Sequence, residues 1–288
     1  MVLRNTLEGS LQLLRLLKNH RSGLAGLTIV IFFTLMAALA DLVSPYSPIS
    51  GSLSNALRPP STENLLGTDE LGRDLLSRLI HGSRVSLTIA LISTSLGGGV
   101  GALLGLLSGY FGGAIDYAVM RVTDALLSIP SVLIAIALVA LWGPSLQNIV
   151  LAISVGLIPS YVRLVRGVVL QVRNYEFVLA ARLLGINPLK IIFRHVLPNI
   201  SYVVVSQYTL DLGSSILFAA GLGFLGIGVQ PPTPEWGSMI GSGKTYMVRA
   251  PHVIIFPGIF LFMLVAGFNL LGNALRDVLD PRSRVRYA

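Results

Sequence analysis

Long apolar runs separated by short polar segments dominate the sequence. An α-helix needs about 20 apolar residues to cross the hydrocarbon core of a bilayer. Runs near this length cover residues 24–43, 85–109, 117–141, 146–162, 199–227 and 253–275. Each run predicts one membrane-spanning helix, so the pattern predicts an all-α, polytopic membrane protein with six transmembrane helices.

The segments around these runs complete the predicted organisation. Residues 1–23 carry leucines at helical spacing beside basic residues, which is typical of an amphipathic helix on a membrane surface; a frayed tail is the alternative. Residues 44–84 are rich in proline, serine and paired charges, and we expect them to be extracytoplasmic. Residues 85–276 would form a five-helix core with a long loop at 163–199, and residues 277–288 a cytoplasmic tail.

The composition supports a membrane protein. Hydrophobic residues make up 53% of the 288 positions and charged residues 12%, with a mean hydropathy of +0.76. Soluble domains carry about 25% charged residues, so a soluble enzyme and a disordered chain are both excluded. The chain has no cysteine, which excludes a disulfide scaffold, a thiolate metal site and a catalytic thiol.

The net charge of +8 predicts orientation rather than nucleic-acid binding, because the basic residues are dispersed between apolar runs. Cytoplasmic loops of membrane proteins collect lysine and arginine. Most of the 21 lysines and arginines fall in the segments on the side of both termini. Both termini are therefore predicted to be cytoplasmic, and no nucleic-acid partner is expected.

Glycines form three patterns with different implications. Residues 221–226 fit G-x-G-x-x-G and residues 238–245 resemble a phosphate loop, but a nucleotide site needs a preceding strand. The first pattern ends an apolar run and the second lies in a loop, so neither predicts nucleotide binding. Gly97, Gly101 and Gly105 share one helix face, which indicates close packing within the chain or against a partner.

Apart from Asp41 near the end of the first run, two acids fall within the apolar runs, where a carboxylate usually faces protein or water. Asp124 lies one helical turn from Arg121, which favours a structural ion pair. Asp211 has no such neighbour, so a translocation pathway and a structural pairing are equally favoured. Gln207 and Asn269 are weaker pathway candidates. The four histidines lack metal-ligand spacing, and neither a metal site nor a catalytic residue is predicted.

The long loop predicts a rigid cytoplasmic knob, the name used below for residues 175–198. A helix over residues 175–184 is followed by Gly185, at the position of a helix C-cap. Asn187 and Pro188 would start a second short helix that Pro198 closes. Two pre-ordered helices lose little entropy on docking, so the knob suits a groove on a partner protein.

The knob resembles a known signature. Ala180-Ala181-x₃-Gly185, followed by Leu197-Pro198, resembles the EAA motif of binding-protein-dependent ABC importer permeases, although Leu179 replaces its glutamate. In that family the two helices are coupling helices that insert into a cleft of an ATPase subunit. The resemblance implies an ATPase-coupling role for Glu176, Ala180, Ala181, Gly185, Asn187, Pro188, Leu197 and Pro198.

Further motifs resemble the C-type permease of dipeptide and oligopeptide importers across nearly the whole chain. They lie at residues 66–74, 109–113, 231–237 and 268–281. The resemblance implies an ABC type I importer permease that spans the bacterial inner membrane. Its implied substrate is a di- or oligopeptide, with a nickel chelate or glutathione as the alternative.

The resemblance also implies partners. They are a second, B-type permease subunit, two cytoplasmic ATPase subunits that bind ATP and magnesium, an extracytoplasmic solute-binding protein, and membrane lipid. No cofactor would bind this chain itself. Residues 44–84 and 230–251 would meet the binding protein or the second permease.

Three other classes of membrane protein remain as alternatives. A secondary transporter would show an internal repeat with a coupling-ion site, and a channel would show selectivity elements. An intramembrane enzyme would carry a catalytic dyad or metal ligands at helical spacing. No such feature is evident in the sequence.

Overall fold

The computed structural model describes residues 20–279. These residues are largely helical and contain no strand beyond two isolated bridges, which confirms the all-α prediction. The amphipathic helix predicted within residues 1–23 lies almost wholly outside the described residues, as does most of the predicted tail. The helices are α1 (Arg21–Ala38), α2 (Ala40–Val43), α3 (Leu75–Phe111), α4 (Gly113–Leu127), α5 (Ser131–Trp142), α6 (Leu146–Val172), α7 (Glu176–Leu183), α8 (Pro188–Ile191), α9 (Leu197–Phe224), α10 (Trp236–Gly243) and α11 (His252–Leu279).

The third predicted span is a broken helix rather than a straight one. Five helical runs are long and apolar enough to cross a membrane, and α4 with α5 makes a sixth span if this pair, bent by 86°, is counted once. The prediction of one helix over residues 117–141 is therefore wrong. Pro130 explains the break, because it lacks an amide hydrogen and disfavours helical backbone at Ile129.

The helix α3 begins at Leu75, ten residues before the predicted start of the second span at residue 85. Asp74 sets this start, because its carboxylate accepts hydrogen bonds from the Ser77 amide at 2.8 Å and the Ser77 hydroxyl at 2.6 Å. The last ten residues of the polar segment 44–84 therefore belong to a helix. Similarly, α6 continues to Val172, well past the predicted end at residue 162.

Pro198 does not close the second knob helix, contrary to the prediction. It lies in the first turn of α9, where the missing amide hydrogen is tolerated. A π-helical turn over Ile192–Val196 joins α8 to α9, and the helical run is continuous from Pro188 to Phe224. The knob is thus continuous with a membrane-spanning helix.

The glycine stripe on α3 packs within the chain, against α6. A Cβ atom at Gly101 would lie 2.6 Å from the carbonyl oxygen of Ile158, and one at Gly105 would lie 2.7 Å from that of Val162. Only glycine permits this approach of two backbones. The close contact makes α3 and α6 the most extensively packed helix pair of the described chain.

At the end of the bundle away from the knob, called the far end below, buried charges hold the polar segment in place. Arg73 donates to the Asp69 carboxylate at 2.6 Å, and the Arg78 guanidinium lies 3.2 Å from the same carboxylate. Arg78 also donates to the carbonyl oxygens of Pro48 at 2.8 Å and Pro232 at 3.4 Å. Arg78 therefore ties α3 to the polar segment before it, which contains Pro48, and to the segment at residues 230–251, which contains Pro232. These are called the two irregular segments below.

Candidate functional site

The first knob helix, α7, ends in a motif that requires Gly185. The Gly185 amide donates to the Arg182 carbonyl at 3.0 Å, and the Ile186 amide donates to the Ala181 carbonyl at 3.2 Å. This pair of bonds is the Schellman motif, in which the residue after the cap has left-handed backbone. Gly185 has φ +70°, and a Cβ atom there would have no neighbour within 4 Å. The predicted C-cap is confirmed, and its requirement for glycine comes from the backbone angle rather than from lack of space.

The second knob helix, α8, starts as predicted at Asn187 and Pro188. The Asn187 side chain accepts a hydrogen bond from the Leu189 amide at 2.9 Å and caps the helix. Pro188 occupies the first turn, where it needs no donor. These two residues turn the chain between α7 and α8 and give the knob a defined shape.

The inner face of the knob is packed onto the bundle. Val178 and Ala181 of α7 are buried, as are Ile191 and Ile192 after them. They belong to one apolar cluster with Val196 of the π-helical turn and with residues of α3, α6 and α9: Leu106, Tyr110, Val165, Val169, Val172 and Ile200. This packing holds the knob rigidly against the ends of three long helices.

The outer face of the knob exposes large apolar side chains among charged ones. Leu183 is 89% exposed and Leu184 79%, and Phe177, Leu189 and Phe193 are also exposed. Clusters of large exposed apolar side chains mark interaction surfaces. The knob therefore offers an apolar surface that is held in place from beneath.

The structure brings six of the eight predicted coupling residues together on the knob helices and the turn between them. Of these six, Ala181 faces the bundle, and the others are exposed: Glu176, Ala180, Gly185, Asn187 and Pro188. Leu197 and Pro198 lie further along the chain, at the start of α9. The predicted signature therefore spans both the exposed turn and its anchor in the bundle.

Two arginines that the sequence did not single out contact the end of α3: Arg182 of the knob and Arg173, which follows α6. The guanidinium carbon of Arg182 lies 4.7 Å from the centre of the Tyr110 ring, and its Nε donates to the Tyr110 hydroxyl at 3.4 Å. Arg173 donates to the Gly109 carbonyl at 2.8 Å. The signal in the sequence was the motif at residues 109–113, whose Gly109 and Tyr110 make these contacts.

Asp124 is paired, but not with the predicted arginine. Its carboxylate accepts a hydrogen bond from Arg163 of α6 at 2.9 Å, whereas Arg121 lies over the Tyr117 ring at 4.8 Å. Arg121 lies one helical turn before Asp124, but its side chain extends the other way along the helix, towards Tyr117. The structural role predicted for Asp124 thus holds with a partner from a different helix.

The structure brings two of the three pathway candidates together. Gln207 donates to the Asp211 carboxylate at 3.0 Å, one helical turn away on α9. Asp211 is 9% exposed and forms no ion pair within residues 20–279. Asn269 lies on α11 with an exposed side chain.

The two nucleotide-like patterns form a helix end and a short helix with the turn after it. Gly226 ends α9 with φ +83°, and its amide donates to the Gly223 carbonyl at 2.9 Å. Residues 238–245 lie in α10 and the turn after it, in a part of the described chain that has no preceding strand.

Glu235 caps α10 by accepting from the Gly237 and Ser238 amides, both at 2.8 Å. Burial raises the pKa of this carboxyl, against the lowering effect of those hydrogen bonds.

Comparison with known protein families shows which family the chain belongs to. The family described as binding-protein-dependent transport system inner membrane component matches residues 101–285, more than half of the chain. The chain belongs to this family. The family described as N-terminal TM domain of oligopeptide transport permease C matches residues 12–60.

Relatives within this family of inner membrane components are similar over most of their length. The chain is 42% identical to the dipeptide transport system permease protein of Alkalihalophilus pseudofirmus, over 93% of this chain and 88% of that protein. It is 45% identical to the di/tripeptide transport system permease protein of Pseudomonas aeruginosa, over 92% and 89%. It is 41% identical to the glutathione transport system permease protein of Pectobacterium atrosepticum, over 93% and 89%. The resemblance to this permease family is confirmed.

A solved structure shares the fold. The MetNI methionine ABC transporter in an inward-facing form matches with a TM-score of 0.58 at 21% identity. The match covers 70% of this chain and 96% of that chain. The helical arrangement described above is therefore shared with that transporter, and the chain is a multi-pass inner membrane protein.

Proposed function

We propose that this chain is a permease subunit of an ATP-driven importer that passes di- or oligopeptides across the inner membrane. The observation that carries the proposal is the knob, an exposed apolar surface fixed rigidly to the ends of α3, α6 and α9. It occurs in a chain whose relatives include dipeptide and di/tripeptide permeases at 42% and 45% identity. A surface of this kind is suited to receive force from a partner and pass it to the bundle.

The partner at the knob is a cytoplasmic ATPase subunit, one of two that bind ATP and magnesium and carry out the hydrolysis. This chain supplies no ATPase site and binds no cofactor. A second, B-type permease subunit completes the passage across the lipid bilayer. With the knob inside the cell, both termini are cytoplasmic, which agrees with the distribution of lysine and arginine.

The far end then faces outward and receives the solute-binding protein. The polar segment at residues 44–84 and the segment at residues 230–251 are held by Arg78 and by the buried Trp236, whose indole nitrogen donates to the Leu79 carbonyl at 3.1 Å. A surface fixed in this way can dock a loaded partner without ordering itself first.

Gln207, Asp211 and Asn269 contribute to the pathway in this proposal. Asp211 supports it best, because a carboxylate without a cationic partner at membrane depth is costly and usually functional. Asp211→Asn is expected to reduce uptake while the complex still assembles. Unchanged uptake at normal assembly would remove Asp211 from the pathway.

Glutathione is the second candidate solute, favoured by the relative at 41% identity that transports it. Both solutes are small peptides or peptide-like molecules, and the binding protein would make most of the selection. Reconstituted transport with each solute separates the two candidates: uptake of dipeptides supports the first, and uptake of glutathione alone supports the second.

Purification from the native membrane in mild detergent tests the proposal. A tag on this chain should recover a second permease and ATP-binding subunits, and the complex in proteoliposomes should take up dipeptide only with ATP and the binding protein. Recovery of the chain alone, under conditions that preserve a known ABC complex, would contradict the proposal. It would favour a self-sufficient transporter or channel.

A further inference from the structure

The helix α3 reaches the knob only through non-covalent contacts. Its neighbours α6 and α9 are joined to the knob by the chain itself, at residues 173–175 and through the π-helical turn. A displacement of the knob therefore moves the ends of α6 and α9 directly. The same displacement reaches α3 through its packing against α6 and through the side chains that lie between α3 and the knob.

Those contacts converge on the last turn of α3. Tyr110 is buried there, between the cluster under the knob and the guanidinium of Arg182 at 4.7 Å. The adjacent Gly109 carbonyl accepts a hydrogen bond from Arg173 at 2.8 Å. The last carbonyls of a helix lack partners within it and carry partial negative charge, so two guanidinium groups are stabilised at this position.

The other end of α3 holds the far end of the bundle. The helix has 37 residues and is about 55 Å long at 1.5 Å per residue. Near its first turn, Arg78 binds the carbonyls of Pro48 and Pro232 in the two irregular segments. One rigid helix thus connects the knob to both segments that face away from it.

We propose that Arg182 and Tyr110 are positioning residues that transmit movement of the knob to α3. The inference rests on the proposed function, since it takes the knob as the surface on which the ATPase acts. Arg182 belongs to the knob and Tyr110 to α3, and their ring–cation contact resists separation of the two elements. Arg173 fixes the same turn from α6, so that α3 follows the knob and carries the displacement to the far end.

The test uses the assembled complex in proteoliposomes, with ATP hydrolysis and dipeptide uptake measured in parallel. Arg182→Gln and Tyr110→Leu should each raise the number of ATP molecules hydrolysed per peptide by about two- to fivefold, the range that corresponds to a lost cation–π contact. The double variant should be no worse than either single variant, because both remove one interaction. Tyr110→Phe keeps the ring and should restore the ratio to nearly its original value.

A second ring–cation pair in the chain provides the matched control. Arg121 lies over Tyr117 at 4.8 Å within the single helix α4, where the contact joins no two elements. Tyr117→Leu should leave the coupling ratio unchanged. The proposal is overturned if Arg182→Gln leaves the ratio unchanged, or if its effect is as large in the Tyr110→Leu background as alone.

The proposed function fails in a distinguishable way. A wild-type preparation without ATPase subunits, or with uptake independent of ATP, would overturn the proposed function before any variant is made. Arg182 is exposed, so Arg182→Gln should fold even if Tyr110→Leu does not. The Arg182→Gln and Tyr110→Phe comparison then decides the inference.

Discussion

The substitution Gly185→Val probes the knob most sharply. Gly185 has φ +70°, and nothing lies within 4 Å of the place its Cβ would take. The cost therefore comes from the backbone angle alone, which for an L-residue is about 1–2 kcal/mol. A penalty of that size shifts a two-state equilibrium about 5- to 30-fold. We expect the knob to leave its native turn in a large share of molecules while the membrane-spanning helices stay folded.

The assay compares uptake, ATP hydrolysis and retention of the ATPase subunits in the reconstituted complex. Gly185→Val should reduce uptake severalfold and weaken ATPase retention, whereas Gly185→Asn should be milder because asparagine tolerates left-handed backbone. Gly226 offers a matched control at the far end, with φ +83° and open space around its Cβ position. Gly226→Val should cost similar stability but leave ATPase retention intact. Normal uptake and retention in Gly185→Val would refute the assignment of the knob.

Three further predictions concern packing and pH. In thermal unfolding in detergent, Gly101→Val should destabilise the chain by about 3 kcal/mol, at the upper end for overpacking because the obstruction is a backbone carbonyl. Gly99→Val should be nearly neutral in the same assay, because the space around the Cβ position of residue 99 is open. Trp236→Ala should cost about 3–5 kcal/mol, since the ring is fully buried, and an unchanged melting temperature would contradict this packing. Burial raises the pKa of Glu235, so the contribution of this carboxyl group to stability should be fullest below the ordinary pKa of a glutamate. The contribution should fall as pH rises through the raised pKa. Glu235→Gln should therefore flatten that part of the pH profile of stability.

Hydropathy alone predicts the membrane-spanning runs well but misplaces their ends. The first ten residues of α3 include Arg78, His81 and Arg84, which a hydropathy pattern assigns to a loop. Arg78 is buried because Asp69 and two carbonyl oxygens surround it, and the two carbonyls come from 30 and 154 residues away in the sequence. Pro130 indicates the break before α5 in the sequence, but the apolar residues on either side of it favour one continuous span.

In the candidate site, too, the roles that depend on local backbone follow from the sequence, whereas contacts between distant residues do not. Gly185 and Asn187 act through their own local backbone, so their roles follow from sequence spacing. The partner of Asp124 could not be found from local spacing, because Arg163 lies 39 residues away and meets it only after α4 and α6 pack. The contact of Arg182 with Tyr110 bridges 72 residues and depends equally on tertiary packing.

The contact between the knob and an ATPase subunit is the central claim, and site-specific cross-linking tests it most directly. The chain has no cysteine, so this chain, labelled before it is assembled with its partners, carries a thiol-attached photo-cross-linker only at the introduced cysteine. Leu184, 79% exposed on the knob, and Leu42, 82% exposed at the far end, give a matched pair. In the active complex, Leu184→Cys should cross-link to an ATP-binding subunit and Leu42→Cys should not. No cross-link to that subunit from Leu184→Cys, or an equal one from Leu42→Cys, would contradict the account.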